Sequence, residues 1–275
     1  MTECKFAETH FITNPVSMKK FFHLLIISIV VMNSPVFGWG RSGHDAIAYI
    51  AECHLTSKAK RQIEHYLDRR SIVYYASWMD RVRTTKNYKQ TSQWHGNSVD
   101  ELGYYQPDTV RGDAIYGINR AIEMLKDLHH SSDSTIRTAI FYLVHLVGDM
   151  HCPSHIRFPW YKSFKFEING HKCSFHSFWD TDVLELSHRW GYEDYQYQLD
   201  RYSKKEIAQI ALGSPSEWLH DSAQACRVLC DRISENDRLD KSQTNAFLLE
   251  AQQLAEEQIL KAGYRLARIL NDLFD

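Results

Sequence analysis

Between residues 39 and 180 the chain carries nine potential metal ligands, in spacings that make sense only if they converge. The densest run is His145-Leu-Val-Gly-Asp149-Met-His151-Cys-Pro-Ser-His155, and His176-Ser-Phe-Trp-Asp180 follows. Upstream lie Trp39-Gly-Arg-Ser-Gly-His44, Ser77-Trp78-Met79-Asp80 and Gln93-Trp94-His95. Imidazole and carboxylate together suit zinc, whereas calcium and magnesium take oxygen-only cages. Nine donors exceed what one tetrahedral ion can use, so the pattern calls for a multinuclear centre. Any fold for this chain must bring segments more than a hundred residues apart onto one point, and the chemistry narrows to metal-assisted hydrolysis.

The local spacing says how such a centre is built. His145 and Asp149 stand four apart, which on a helix stacks them on one face. Proline disfavours helix in the residue before it, so this helix stops at Cys152-Pro153 and His155 is released to turn back from another direction. His151 points away from the His145–Asp149 face and reads as a packing residue. His176 and Asp180 repeat the four-residue device. Asp80 follows Trp78 in an otherwise apolar stretch, where a carboxylate needs a partner or a metal.

Around these motifs helical periodicity dominates. Gly and Pro are sparse, at 12 and 6, and no linker or repeat interrupts residues 39–275. Helices are expected over 42–53 with Ser42 as cap, 57–67, 113–128, a segment through His145 and Asp149 capped by Asp133 or Ser134, 214–230, and 245–273. Phe164 to Phe175 alone reads as a hairpin, with Asn169-Gly170 as a type I′ turn. The expectation is one all-α domain with a small β-hairpin beside the site.

Residues 1–38 read as a leader. Met18-Lys-Lys starts a basic segment, Phe21 to Met32 is apolar, and Val36-Phe37-Gly38 offers a cleavage site before Trp39, the layout of a signal peptide rather than a membrane anchor. Residues 1–17 precede that layout awkwardly and read as an over-extended start. The domain is then 39–275, about 237 residues and one well-cored unit, exported to a periplasmic or extracellular compartment as a monomer. Of six cysteines, Cys4 leaves with the leader. An odd number remains, and Cys226 and Cys230 at helical spacing do not favour bridging. A net charge of −2 excludes binding through a broad basic stripe. Bound cations must supply any local attraction for an anionic substrate.

In these motifs the chain resembles the zinc-dependent S1/P1 nuclease family over essentially all of 39–275. The match runs in order through an N-terminal Trp-Gly with His five residues on, Trp-x-Asp, Trp-His, H-x-x-G-D-x-H-x-P-x-H and H-S-x-W-D. The resemblance implies the helical fold shared with zinc phospholipase C and three Zn2+ ions. One would be held by Asp80, His95, His145 and Asp149. The second would be held by Trp39 through its free amine and carbonyl, with His44 and the bridging Asp149, and the third by His155, His176 and Asp180. It implies hydrolysis of single-stranded DNA or RNA, or of 3′-nucleotides, to 5′-phosphate products, with Asp149 as catalytic bridge and Arg83 as phosphate contact. Where better-known members carry Phe-Ile-Asp after the Trp-His histidine, this chain has Gly96-Asn97-Ser98-Val99-Asp100, leaving Asn97 and Asp100 as candidate base contacts. Trp160, Tyr161, Phe164 or Phe166 could replace the missing ring. A phospholipase C-like phosphodiesterase and a non-catalytic zinc-binding protein are the alternatives. The short Trp39-to-His44 spacing and aspartate at 180 favour the nuclease.

Overall fold

The computed structural model describes residues 39–160 and 164–275; the leader expected at 1–38, and Tyr161, lie outside them. Helix α1 (Arg41–Cys53) buries Ile47, Ile50 and Ala51, as its spacing requires. Ser42 does not cap it. The Gly40 N–H bonds the Asp180 carbonyl, which pins the chain so that Gly40 takes the cap position, and the Ser42 hydroxyl instead donates to Glu185. Helix α2 (Ser57–Tyr66) is capped by Thr56, and the short α3 (Trp78–Val82) carries Asp80. Helix α4 (Ala114–Lys126) takes its cap from Asp113, whose side chain accepts from the Tyr116 N–H at 2.9 Å.

Helix α5 (Asp133–His151) is the spine of the molecule, with every residue from Ala139 to His151 buried. A helix that is covered on all sides needs neighbours on all sides, and α1, α3, α4 and α11 supply them. Its cap is Ser132, accepting from Thr135 N–H at 3.2 Å, one residue ahead of the expected position. Asp133 then sits in the first turn, where a negative charge complements the helix dipole. After a break, α6 (Phe175–Ser177) runs through a π turn (Phe178–Asp182) into α7 (Val183–Ser187). Helices α8 (Tyr192–Leu199), α9 (Lys204–Ile210) and α10 (Pro215–Cys230, opened by Ser214) lead to α11 (Lys241–Phe274). The last helix begins four residues before the expected start because Asp240 and Gln243 close a capping box.

Two small sheets complete the fold rather than one hairpin. The expected pair is present as β4 (Lys165–Ile168) and β5 (His171–Ser174). Its turn residues Asn169 and Gly170 have φ of 46° and 81°, the left-handed pair that a type I′ turn needs. Strand β6 (Arg238–Leu239) adds in parallel to β4. The second sheet pairs β1 (Asn97–Val99) with β2 (Tyr105–Gln106) and, in parallel, with β3 (Ile156–Arg157). Segments of two or three residues are too short to show a period in sequence. This small sheet joins the chain leaving His95 to the chain leaving His155. All five described cysteines are free thiols.

Candidate metal centre

One wall of the site is regular helix. His145 and Asp149, both fully buried on α5, face each other with Nε2 3.2 Å from Oδ2. The His145 ring is oriented from behind. Its Nδ1–H donates to the Ala76 carbonyl at 2.8 Å, which turns Nε2 towards the centre. His95 brings Nδ1 to 2.9 Å from the same carboxylate oxygen, and Asp80 Oδ1 lies 3.7 Å from His95 Nδ1 and 3.8 Å from His145 Nε2. On the other side of Asp149, His44 stacks on His145 at 4.1 Å between ring centroids and sets Nε2 3.3 Å from Oδ1. Gly148 makes that approach possible, since a Cβ there would come within 3.0 Å of His44 Nδ1.

The facing wall is irregular. Cys152 leaves the helix in extended conformation, and Pro153–His155 form one tight turn. That turn returns His155 to 3.6 Å from Asp149 Oδ1 and 3.9 Å from Asp180 Oδ1. His176 and Asp180 lie where the helix opens into its π turn, with Nε2 3.2 Å from Oδ2; such widened turns recur at functional sites. The His155 and His176 rings stack at 5.0 Å. Two residues not singled out by sequence act here. The Ser154 hydroxyl donates to Asp180 Oδ1 at 2.7 Å, and the Cys152 thiol lies 3.6 Å from the same oxygen. A short Cys-Pro-Ser run gives no periodic signal, and its only clue was its position inside the motif.

The donor set fits cations. Both ring nitrogens of His44 and His155, His95 Nε2, Asp80 Oδ1, Asp149 Oδ1 and Asp180 Oδ2 are buried and make no hydrogen bond, a cost that native interiors avoid unless something else satisfies those atoms. Three groupings bring their donor atoms within 4.8 Å of one another: His44, His145 and Asp149; Asp80, His95 and His145; and Cys152, His155 and Asp180. Burial drives His95, His155 and His176 below the ordinary imidazole range, towards the neutral form that binds metal. Burial works against charge on His145 too, but the carboxylates of Asp149 and Asp80 outweigh it and hold that ring at about 9. Asp149, despite its burial, is held well below the carboxylate range by His145 and His155. Burial pushes Asp180 well above it, and a cation beside the carboxylate would reverse that.

The remaining sequence candidates sit around this core. Trp39 is fully buried, its ring against Gly43, and the peptide after it is tied to Asp180. Arg83 is buried with Nε 3.8 Å from Asp80 Oδ1; burial lowers its pKa against the pull of Asp80, Asp149 and Asp180. Asn97 Oδ1 accepts from the Ile115 N–H at 3.1 Å, at the start of α4, while its amide nitrogen makes no hydrogen bond. Asp100 shapes the β1–β2 turn, one oxygen accepting from the N–H groups of Leu102 and Tyr104 at 2.9 Å each. Phe166 is core, packed on Phe178 and Phe247. Trp160 is exposed and stacked on Phe158 at 4.9 Å. His151 lies off the centre: Nδ1–H donates to the Val147 carbonyl at 2.7 Å and Nε2 accepts from Arg265 at 2.8 Å.

Comparison with known proteins agrees with this geometry. The family model described as S1/P1 Nuclease matches residues 39–275. Nuclease S1 of Aspergillus oryzae is 25% identical over 266 residues, covering 86% of this chain and 91% of that protein. Endonuclease 2 of Arabidopsis thaliana is 23% identical, with 91% and 96% covered, and Nuclease P1 of Penicillium citrinum is 24% identical, with 86% and 97% covered.

Proposed function

The chain belongs to the S1/P1 nuclease family, and on that premise we propose that it is a three-zinc phosphodiesterase that cuts single-stranded DNA and RNA to 5′-phosphate products, with 3′-mononucleotides as a second substrate class. The observation that carries the reading is the convergence around Asp149 of buried imidazole nitrogens and carboxylate oxygens, several of which make no hydrogen bond. Asp80, His95, His145 and Asp149 would hold one ion. Asp149 would be shared with His44 and with the amine and carbonyl of Trp39, and His155, His176 and Asp180 would hold the third. Bound there, the ions supply Lewis acidity towards a phosphodiester and make water a nucleophile at neutral pH.

The chain's own residues do the rest. The Ala76 carbonyl orients His145 through Nδ1–H, so Nε2 faces the centre and would meet an ion once the proton favoured there by Asp149 and Asp80 is displaced. Arg83, beside Asp80, offers a guanidinium to the phosphate. Asn97 and Asp100, on the strand and turn that leave His95, border the place where a base would lie, with Trp160, exposed and on the chain that leaves His155, as the candidate ring. A site that takes the phosphate of one nucleotide between two buried walls demands an unpaired strand, because opening a duplex costs on the order of a few kcal/mol.

The mature chain in this reading is 39–275, with 1–38 as leader; support comes from the family match beginning at Trp39. Among the described residues no helix is long and apolar enough to cross a membrane. The test is metal quantification with turnover on single-stranded DNA, RNA, duplex DNA and 3′-mononucleotides, before and after chelation, using protein with a confirmed Trp39 terminus. Three zincs, chelator-sensitive activity and slow duplex cleavage are expected. One metal, or activity that survives stripping, would overturn the reading.

A further inference from the structure

The short parallel pairing of β1 with β3 places one residue where no family motif calls for it. Its register sets Asn97 opposite Ile156 and Ser98 opposite Arg157, so Arg157 emerges two residues after His155 and beside the chain that leaves His95. Its guanidinium is seated on Gly96: a Cβ built there would meet Arg157 Nη2 at 3.1 Å and the His155 carbonyl at 3.1 Å. A side chain there would crowd both the guanidinium and the His155 carbonyl. Arg157 is exposed, and no carboxylate among the described residues lies within ion-pair reach of it.

An exposed guanidinium seated against Gly96 and the His155 carbonyl, with no protein anion in reach and beside a centre built to hold metal ions, is placed to take an anion. One phosphate satisfies the metal centre and Arg83. We infer that Arg157 grips a second, neighbouring phosphate of the strand, which makes this face a two-phosphate site selective for oligonucleotides over single phosphodiesters. The inference rests on the nuclease reading above and adds to it which substrates are preferred. Arg157 is a binding residue here, with no part in the bond-breaking step.

The experiment compares zinc-loaded wild type, Arg157→Ala and Arg157→Lys on a dinucleoside monophosphate, which has only the phosphate to be cut, and on a trinucleoside diphosphate. In wild type the second phosphate should lower KM about tenfold, the size of one charge-assisted contact. In Arg157→Ala that advantage should vanish while kcat, zinc content and KM for the smaller substrate stay within about twofold; Arg157→Lys should keep part of it. Binding of a thymidylate tetramer should weaken in Arg157→Ala, with a salt slope shallower by about 0.7, the value for one phosphate contact on a single strand. An unchanged ratio between the substrates, or an equal loss on both, would overturn the proposal. Failure of wild type to cut either substrate would count against the nuclease reading instead, and the tetramer titration would still decide the role of Arg157.

Discussion

His145 and Asp149 hang from the fully buried half of a regular helix, whereas His155 and Asp180 hang from a tight turn and a π turn. The first pair is positioned by ordinary helical geometry and one carbonyl, that of Ala76. The second depends on local polar groups: Ser154 donates to Asp180 and Cys152 lies against it. Charge differs as well. Asp149 is flanked by imidazoles that keep it ionised, while Asp180 is driven towards its protonated form by burial. The helical wall therefore holds its carboxylate ionised before any cation arrives, with His145 giving up a proton on binding, and the turn wall needs its cation to make its carboxylate a ligand. Metal should load on the helical wall first and leave it last.

The largest effect expected from breaking this arrangement falls on the helical wall. Asp149→Asn removes the one carboxylate that His44, His95, His145 and His155 all approach, and turnover should fall at least about a thousandfold, on the order of 4 kcal/mol of transition-state stabilisation. Metal content should drop by more than one ion per chain. Full activity with three zincs in this variant would mean the centre is not organised around Asp149.

Next in size is the terminus. If residue 39 binds through a free amine, a protein that retains Gly38 offers an amide nitrogen in its place, a poor ligand at neutral pH. We expect one zinc fewer and a loss of about a hundredfold or more, since removing one half of a shared-ion pair removes much of the metal contribution. Helix content should not change, because α1 is held by its buried face. Equal zinc content and equal rates would leave Trp39 a packing residue.

Smaller still should be the effect of loosening the turn wall from behind. Ser154→Ala removes the 2.7 Å hydrogen bond to Asp180 without touching a candidate ligand. Partners of this kind are worth about 10- to 100-fold in metal affinity, and the loss should fall on one ion only, read by competition with a graded chelator. A similar drop for all the ions would show that the two walls are one cooperative unit.

The contrast also explains what the sequence made legible. The helical wall could be read because periodicity of 3.6 residues places His145 over Asp149, and Pro153 marks where the helix must end. His176 and Asp180 could be paired by spacing, yet nothing in Phe-Trp-Asp announces that the helix widens there into a π turn. Ser154 and Cys152 escaped notice since their roles depend on a chain reversal whose shape is set by tertiary contacts. Nothing but their place after His95 marks Asn97 and Asp100 as base contacts. The structure shows their oxygens already committed to backbone N–H groups, a local use that no spacing rule separates from ligand binding. Arg157 was invisible for the same reason, because two-residue strands leave no pattern.

The smallest effect concerns a histidine inside the motif but behind the helical wall. His151 is buried between the Val147 carbonyl and Arg265, and burial together with that guanidinium holds its pKa down to about 3. Unfolded, the same ring titrates near 6.5. Between those values the unfolded chain carries a proton that the folded chain refuses, so the contribution of His151 to stability is complete above pH 6.5 and is lost as pH falls towards 3. The slope is one proton, about 1.4 kcal/mol per pH unit. His151→Gln retains an acceptor for Arg265 and cannot titrate. Metal-free wild type and variant should therefore differ little in denaturant midpoint at pH 7.5, and the gap between their stability curves should shift steadily in favour of the variant as the solution is acidified. Working with chelated protein keeps acid-driven metal release out of the comparison, and the other buried histidines titrate alike in both proteins and cancel. Parallel curves from pH 7.5 to 4 would mean that His151 is protonated in the folded state and that Arg265 does not hold it neutral.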